Sequence, residues 1–144
     1  MNLRNDQSGF ALLEMVSAII IIAILSVIYF LMTDSYRERR MSEQAAKALM
    51  LAARAQEEYF AREHRYFDAE VSSKSKDSHL NFPGGTRTNV VVPMGVTLNL
   101  RTRGPERAAF SGEASYGGSK IVHKYESETG RIATYQRGQG ERDE

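Results

Sequence analysis

Between residues 10 and 32 the chain reads FALLEMVSAIIIIAILSVIYFLM, a run whose only strongly polar member is Glu14. At about 1.5 Å of rise each, these roughly 23 residues cover a hydrocarbon core about 30 Å thick, so the pattern predicts a membrane-spanning helix. A cleaved secretory signal needs an apolar stretch of only about 7–15 residues closed by small side chains. This run is longer and ends on Tyr29, Phe30, Leu31 and Met32. A buried helix of a water-soluble core is disfavoured too, because the isoleucines at 19–22 leave no polar face for solvent. Residues 1–9 (MNLRNDQSG) are short and polar and read as a leader or flank.

Past the apolar run, helical signals continue without Pro or Gly over residues 33–67. Met41, Ala45, Ala48, Ala52, Ala55 and Tyr59 step by four and three along one face, which predicts an amphipathic second half whose alanine-rich stripe lies on a core. Glu43 with Lys47 and Glu58 with Arg62 stand four apart with the acid first, the favourable order on an exposed face. After about Ala69 the text turns to Ser, Lys and Asp and then to Pro83, Gly84 and Gly85, which reads as a connecting loop.

Short stretches rich in β-branched residues follow at 89–92, 96–101, 108–114, 120–126 and 131–136, predicting a small antiparallel sheet. In the last hairpin, Ile121, His123 and Tyr125 meet Ile132 and Tyr135 across Ser127-Glu128-Thr129-Gly130, with Gly130 free to take a positive φ. Residues 137–144 read as a frayed polar tail. The predicted class is α+β: one long N-terminal helix, its first half transmembrane, packed on a small antiparallel sheet, with a head over residues 68–144.

Composition narrows the chemistry. With 144 residues, less a membrane segment, the chain has room for a single small head. Nineteen basic against 18 acidic side chains give a formal charge of +1, no field that draws in nucleic acid or an anionic surface. Absence of cysteine excludes disulfides, a thiolate nucleophile and sulfur-ligated metals. His64, His79 and His123 lack metal-ligand spacing, no Gly-x-Ser-x-Gly elbow occurs, and Gly84-Gly85 lacks the Lys-Ser/Thr of a phosphate loop. No enzymatic activity and no cofactor is therefore expected. Arg101, Arg103 and Arg107, with Lys120 and Lys124, are candidates for a basic face on DNA backbone, against the ordinary account of solvated loop charges. The aromatic series Tyr29, Phe30, Tyr36, Tyr59, Phe60, Tyr66 and Phe67 divides into interface anchors and head packing.

Glu14 stands out physically. A carboxylate inside a membrane helix costs about 2.5–3.5 kcal/mol on insertion scales and usually marks a function. Lying about one turn inside the run, it also suits snorkelling to the interface.

The stretch SGFALLEMVSAIIIIAILSVI resembles the type IV prepilin signature: a polar leader ending in Gly9, then Phe10, then Glu14 in an otherwise apolar helix. The resemblance covers about the first 60 residues, and over the sheet it is architectural. It implies cleavage between Gly9 and Phe10 by a prepilin peptidase/N-methyltransferase, N-methylation of Phe10, and assembly through Glu14 meeting the Phe10 amine of a neighbouring subunit. It further implies, as partners, other pilin subunits, an inner-membrane assembly platform and membrane lipid. The expected location is the inner membrane, single-pass with a periplasmic head, and then a pilus or pseudopilus filament.

Several positions depart from the family pattern. Ser8 stands where a basic residue is common, Asp6 lowers the leader's charge, and Ala11 replaces a commoner Thr. Ala23 and Leu31 stand where many major pilins have Gly and Pro. Arg37, Arg39 and Arg40 after the span outnumber Arg4 before it, which by the positive-inside rule puts the head in the cytoplasm. The resemblance requires the opposite, because cleavage occurs on the cytoplasmic side, and Asp34 and Glu38 partly offset the arginines. A major pilin, a minor pilin, a pseudopilin of a type II secretion system and a non-polymerising single-span protein with a small binding domain all fit these residues.

Overall fold

The computed structural model describes residues 6–138, with side-chain surroundings from residue 11 onward. Residues 1–5 of the expected leader and 139–144 of the expected tail lie outside the described residues. The chain divides into two compact units, Met1–Arg37 and Glu38–Glu144. Helix α1 (Asp6–Glu63) supplies the described part of the first unit and begins the second.

In the second unit α1 packs on antiparallel sheets. Strands β1 (Ala69–Ser72), β4 (Val96–Arg103), β5 (Ala109–Tyr116), β6 (Ile121–Glu126) and β7 (Arg131–Gln136) form a five-stranded sheet in the order β1-β4-β5-β6-β7. Strands β2 (Ser78–Asn81) and β3 (Arg87–Val92) form a separate pair. The α+β class and strands at the five expected stretches are as the sequence predicts, but the first of these, β3, pairs with β2 outside the five-stranded sheet. Alternation places Val96, Leu98 and Leu100 of β4 inward and Thr97, Asn99 and Arg101 outward.

The predicted stripe is the core face: Ala45, Ala48, Ala52, Ala55 and Tyr59 are buried with Leu49. Small side chains let helix and sheet approach closely, and Gly112 of β5 is one point of close approach. A Cβ built there falls 2.7 Å from a Leu49 methyl carbon and 2.9 Å from one of Leu100. Aromatic rings close one end of the core, with Tyr66 stacked 4.5 Å from Phe60 and tilted against Phe110 at 4.7 Å.

Two expectations are corrected. The helix, read to about Phe67, stops at Glu63, with His64 in the left-handed region (φ 57) and its N–H donating to Phe60 O at 2.8 Å. The stop is tertiary: fully buried Gln56 accepts from Phe67 N–H at 3.1 Å and donates to Phe67 O, locking that peptide out of the helix. The segment read as a loop after Ala69 contains β1 and β2. Its partners are distant in sequence, Ala69 opposite Leu100 and Ser78 opposite Val92, and β1 is an edge strand with an exposed face. Polar composition therefore hid strands whose pairing is non-local. Gly84 and Gly85, both at positive φ, make the β2–β3 turn, with Gly85 N–H donating to Phe82 O at 3.0 Å.

The last hairpin forms as expected: Tyr125 faces Ile132, Gly130 has φ 62, and its N–H donates to Glu126 O at 2.9 Å. Tyr135, however, pairs with Val122 and so lies on the opposite sheet face from Ile121, His123 and Tyr125.

Candidate processing and assembly segment

In the first unit every side chain from Ala11 to Met32 is exposed, including Ile19 at 62 %, Leu25 at 59 % and Phe30 at 71 %. Holding such side chains in water forfeits about 1.5–3 kcal/mol each, so the segment calls for an apolar surround that the described residues of its own unit do not supply. It is long and apolar enough to cross a membrane. Its hydroxyls fit that surround: Ser17 donates to Glu14 O (2.8 Å), Ser26 to Ile22 O (2.7 Å) and Thr33 to Tyr29 O (2.8 Å). Each donor is satisfied within its own helix, the condition for placing hydroxyls in hydrocarbon.

Glu14 is exposed on this helix and has no ion-pair partner among the described residues. Gly9 and Phe10 are carried in the helical backbone of α1, and their side-chain surroundings lie outside the described residues. Helical spacing sets Phe10 and Glu14 one turn apart, about 6 Å along the axis and on one side of it. The helix continues unbroken through Ala23 and Leu31, the two positions without family breakers.

The other candidates are dispersed over the head. His64 ends the helix, and His79 lies on β2 opposite Val91. His123 is buried between α1 and β7, its Nε2 2.9 Å from Ser42 Oγ and its Nδ1 3.0 Å from Thr134 Oγ1. Among the described residues no three metal-competent side chains converge. The sheet's bases stand among acids: Arg101 reaches Glu70 at 3.9 Å, Arg103 reaches Glu126 at 3.9 Å, and Lys124 reaches Glu126 at 3.0 Å. Hydrogen bonding and charge from Lys124 hold the Glu126 carboxyl below its usual range. These bases therefore form a mixed field rather than a uniformly basic face.

Two further groups are strongly held. Asp68 accepts from Thr102 N–H at 2.7 Å and from Thr102 Oγ1 at 3.0 Å, and chiefly that backbone bond holds its carboxyl below the usual range. Tyr66 donates to Glu57 at 3.0 Å, and burial first, then Glu57, pushes its phenol up to about 12.

Sequence reading missed two open grooves flanking the exposed ridge of α1. One, of about 230 Å³, lies against β3 and is lined by Leu51, Arg54, Ala55, Phe82, Arg87 and Val90, among others. The second, of about 300 Å³, lies against the β6–β7 hairpin, between Met50, Ala53 and Glu57 on the helix and Tyr125 and Ile132 on the strands. The helical spacing of Leu51, Arg54, Ala55 and Glu58 was the available signal, but Arg87 joins them only through the fold.

Comparison with known proteins bears on the N-terminal segment alone. Residues 4–30 match a family model described as the prokaryotic N-terminal methylation motif. No curated protein and no solved structure matches the chain. The chain thus carries, at the start of a helix apolar enough to cross a membrane, the N-terminal methylation motif that is the hallmark of type IV prepilin- and pseudopilin-like proteins.

Proposed function

We propose that this chain is the precursor of a structural subunit, a major or minor pilin, of a type IV pilus. The leader through Gly9 is removed on the cytoplasmic side, the new terminal amine of Phe10 is methylated, and the apolar helix holds the subunit in the inner membrane with its head in the periplasm. The match of the methylation motif to residues 4–30 carries this reading. Exposure of every side chain from Ala11 to Met32 supports it, since a bundle of like helices replaces lipid without exposing apolar surface to water.

Glu14 then acts as the register device. Cleavage creates an amine at a helix N-terminus, where the dipole also favours a nearby carboxylate, and the Glu14 of one subunit meets the Phe10 amine of the next. Charge-assisted contacts of this kind contribute about 1.5–3 kcal/mol, or about tenfold or more per addition step. Glu14→Gln is therefore expected to be processed normally yet to lower filament yield by at least that factor, read as sheared filament protein against membrane protein. Undiminished filament from Glu14→Gln would remove the register role.

A pseudopilin of a type II secretion system is the second reading, favoured by the unbroken helix through Ala23 and Leu31. Intact-mass and N-terminal analysis of the protein from membranes, with and without its leader peptidase, tests the common core of both. The expected product begins at N-methylated Phe10. A chain still beginning at Met1 in peptidase-positive cells would put a non-polymerising single-span protein ahead.

A further inference from the structure

The groove between α1 and β3 has a chemistry that the helix-driven assembly above does not use. Its lining mixes the half-exposed Leu51 and the edges of buried Ala55, Phe82 and Val90 with Thr88 and Asn89, and two arginines line it, Arg54 from the helix and Arg87 from the strand. Its one carboxylate, Glu58, is engaged by Arg62 at 3.6 Å, and the Arg62 guanidinium stands 5.0 Å over the Phe82 ring. The Thr88 hydroxyl donates to Leu80 O at 2.7 Å and accepts from Val90 N–H at 3.1 Å. Among the described residues Arg54 and Arg87 have no ion-pair partner.

The groove on the other flank of the same helix is different. There Arg54, which lines both grooves, is accompanied by one acid, Glu57, which accepts from Tyr66, over an apolar lining of Met50, Ala53, Tyr125 and Ile132. Of the two grooves, only the β3 side has more basic than acidic lining residues.

We propose that the β3-side groove docks an acidic peptide segment of a partner protein, with carboxylates on Arg54 and Arg87 and an apolar side chain between them on Ala55, Phe82 and Val90. Guanidinium forks match carboxylates geometrically, and contact with the exposed Leu51 and the apolar part of the lining adds a gain that a bare anion cannot collect. The groove is partly open to solvent and concave, unlike the flat surface presented by a bilayer. The proposal stands independently of the filament reading.

The test uses the full chain in zwitterionic detergent micelles, titrated with a fluorescein-labelled Glu-Phe-Glu-Leu-Glu peptide, its glutamine counterpart and inorganic phosphate. The acidic peptide is expected to bind in a salt-sensitive way. Arg54→Ala and Arg87→Ala are each expected to weaken it about tenfold, the scale of one charge-assisted contact. Lys47→Ala, an exposed cation outside the groove, is expected to leave it unchanged. The proposal is overturned if the acidic peptide fails to bind or the glutamine peptide binds as tightly. It is also overturned if the arginine variants match the parent, if Lys47→Ala weakens binding as much as they do, or if phosphate displaces the peptide at equal concentration. Circular dichroism confirming that the variants are folded keeps an effect on binding separate from one on stability.

Discussion

Gln56 is where a single side chain decides the path of the chain. Fully buried on α1, it holds both polar groups of Phe67, accepting from the N–H and donating to the carbonyl. Replacing it with leucine keeps roughly the volume and helix propensity but removes both partners. Two buried backbone groups are then left unsatisfied, at about 1–3 kcal/mol each, so the expected loss is about 2–6 kcal/mol. The lower half of that range is the sounder expectation, because Phe67 precedes an exposed segment at Asp68 through which water can enter. Urea unfolding of the full chain in micelles, followed by tyrosine fluorescence, reads the loss as a lower midpoint at unchanged slope. Gln56→Glu should also destabilise, since a carboxylate there loses the donor to Phe67 O and carries a charge into the core. A Gln56→Leu protein within about 0.5 kcal/mol of the parent, the range of an ordinary surface change, would refute the claim that this clamp ends the helix.

Three further outcomes follow from the packing and the titrating groups. Gly112→Val drives branched methyls into Leu49 and Leu100 and is expected to cost about 1–3 kcal/mol as overpacking, seen as a lower thermal midpoint; an unchanged midpoint would deny the close helix-to-sheet approach. Asp68, held below the usual carboxylate range by Thr102, stabilises the fold above its unfolded pKa of about 4 and loses that contribution as pH falls through its lower folded value. The stability gap between parent and Asp68→Asn should therefore close on acidification from about pH 5 to pH 2; a constant gap would deny the linkage. Tyr66, raised from 10.0 to about 12, resists ionisation in the folded state. Its contribution is complete below pH 10.0 and lost as pH rises towards about 12, so Tyr66→Phe should show a shallower alkaline decline in stability than the parent.

Local sequence carried the parts of this protein that local physics controls. The apolar run at 10–32 announces a helix needing an apolar surround whatever else the chain does, because length and composition alone determine membrane transfer. Gly9, Phe10 and Glu14 are legible as a unit for a similar reason: their spacing is a property of one helix turn. The alanine stripe and the five short strands were equally visible, each being a property of its own segment. Their partner order, β1-β4-β5-β6-β7, was not.

Tertiary structure decided what depends on residues far apart in the chain. The helix ends at Glu63 because Gln56 captures Phe67, not because a breaker stands there. Strands β1 and β2 exist because β4 and β3 offer ladders to segments whose own composition favours a loop. Arg54 and Arg87 face one groove, and His123 lies between Ser42 and Thr134, only once the sheet lies on the helix. Propensity and periodicity act over a few residues, whereas hydrogen-bond satisfaction and packing of buried groups are settled among whichever surfaces the fold brings together.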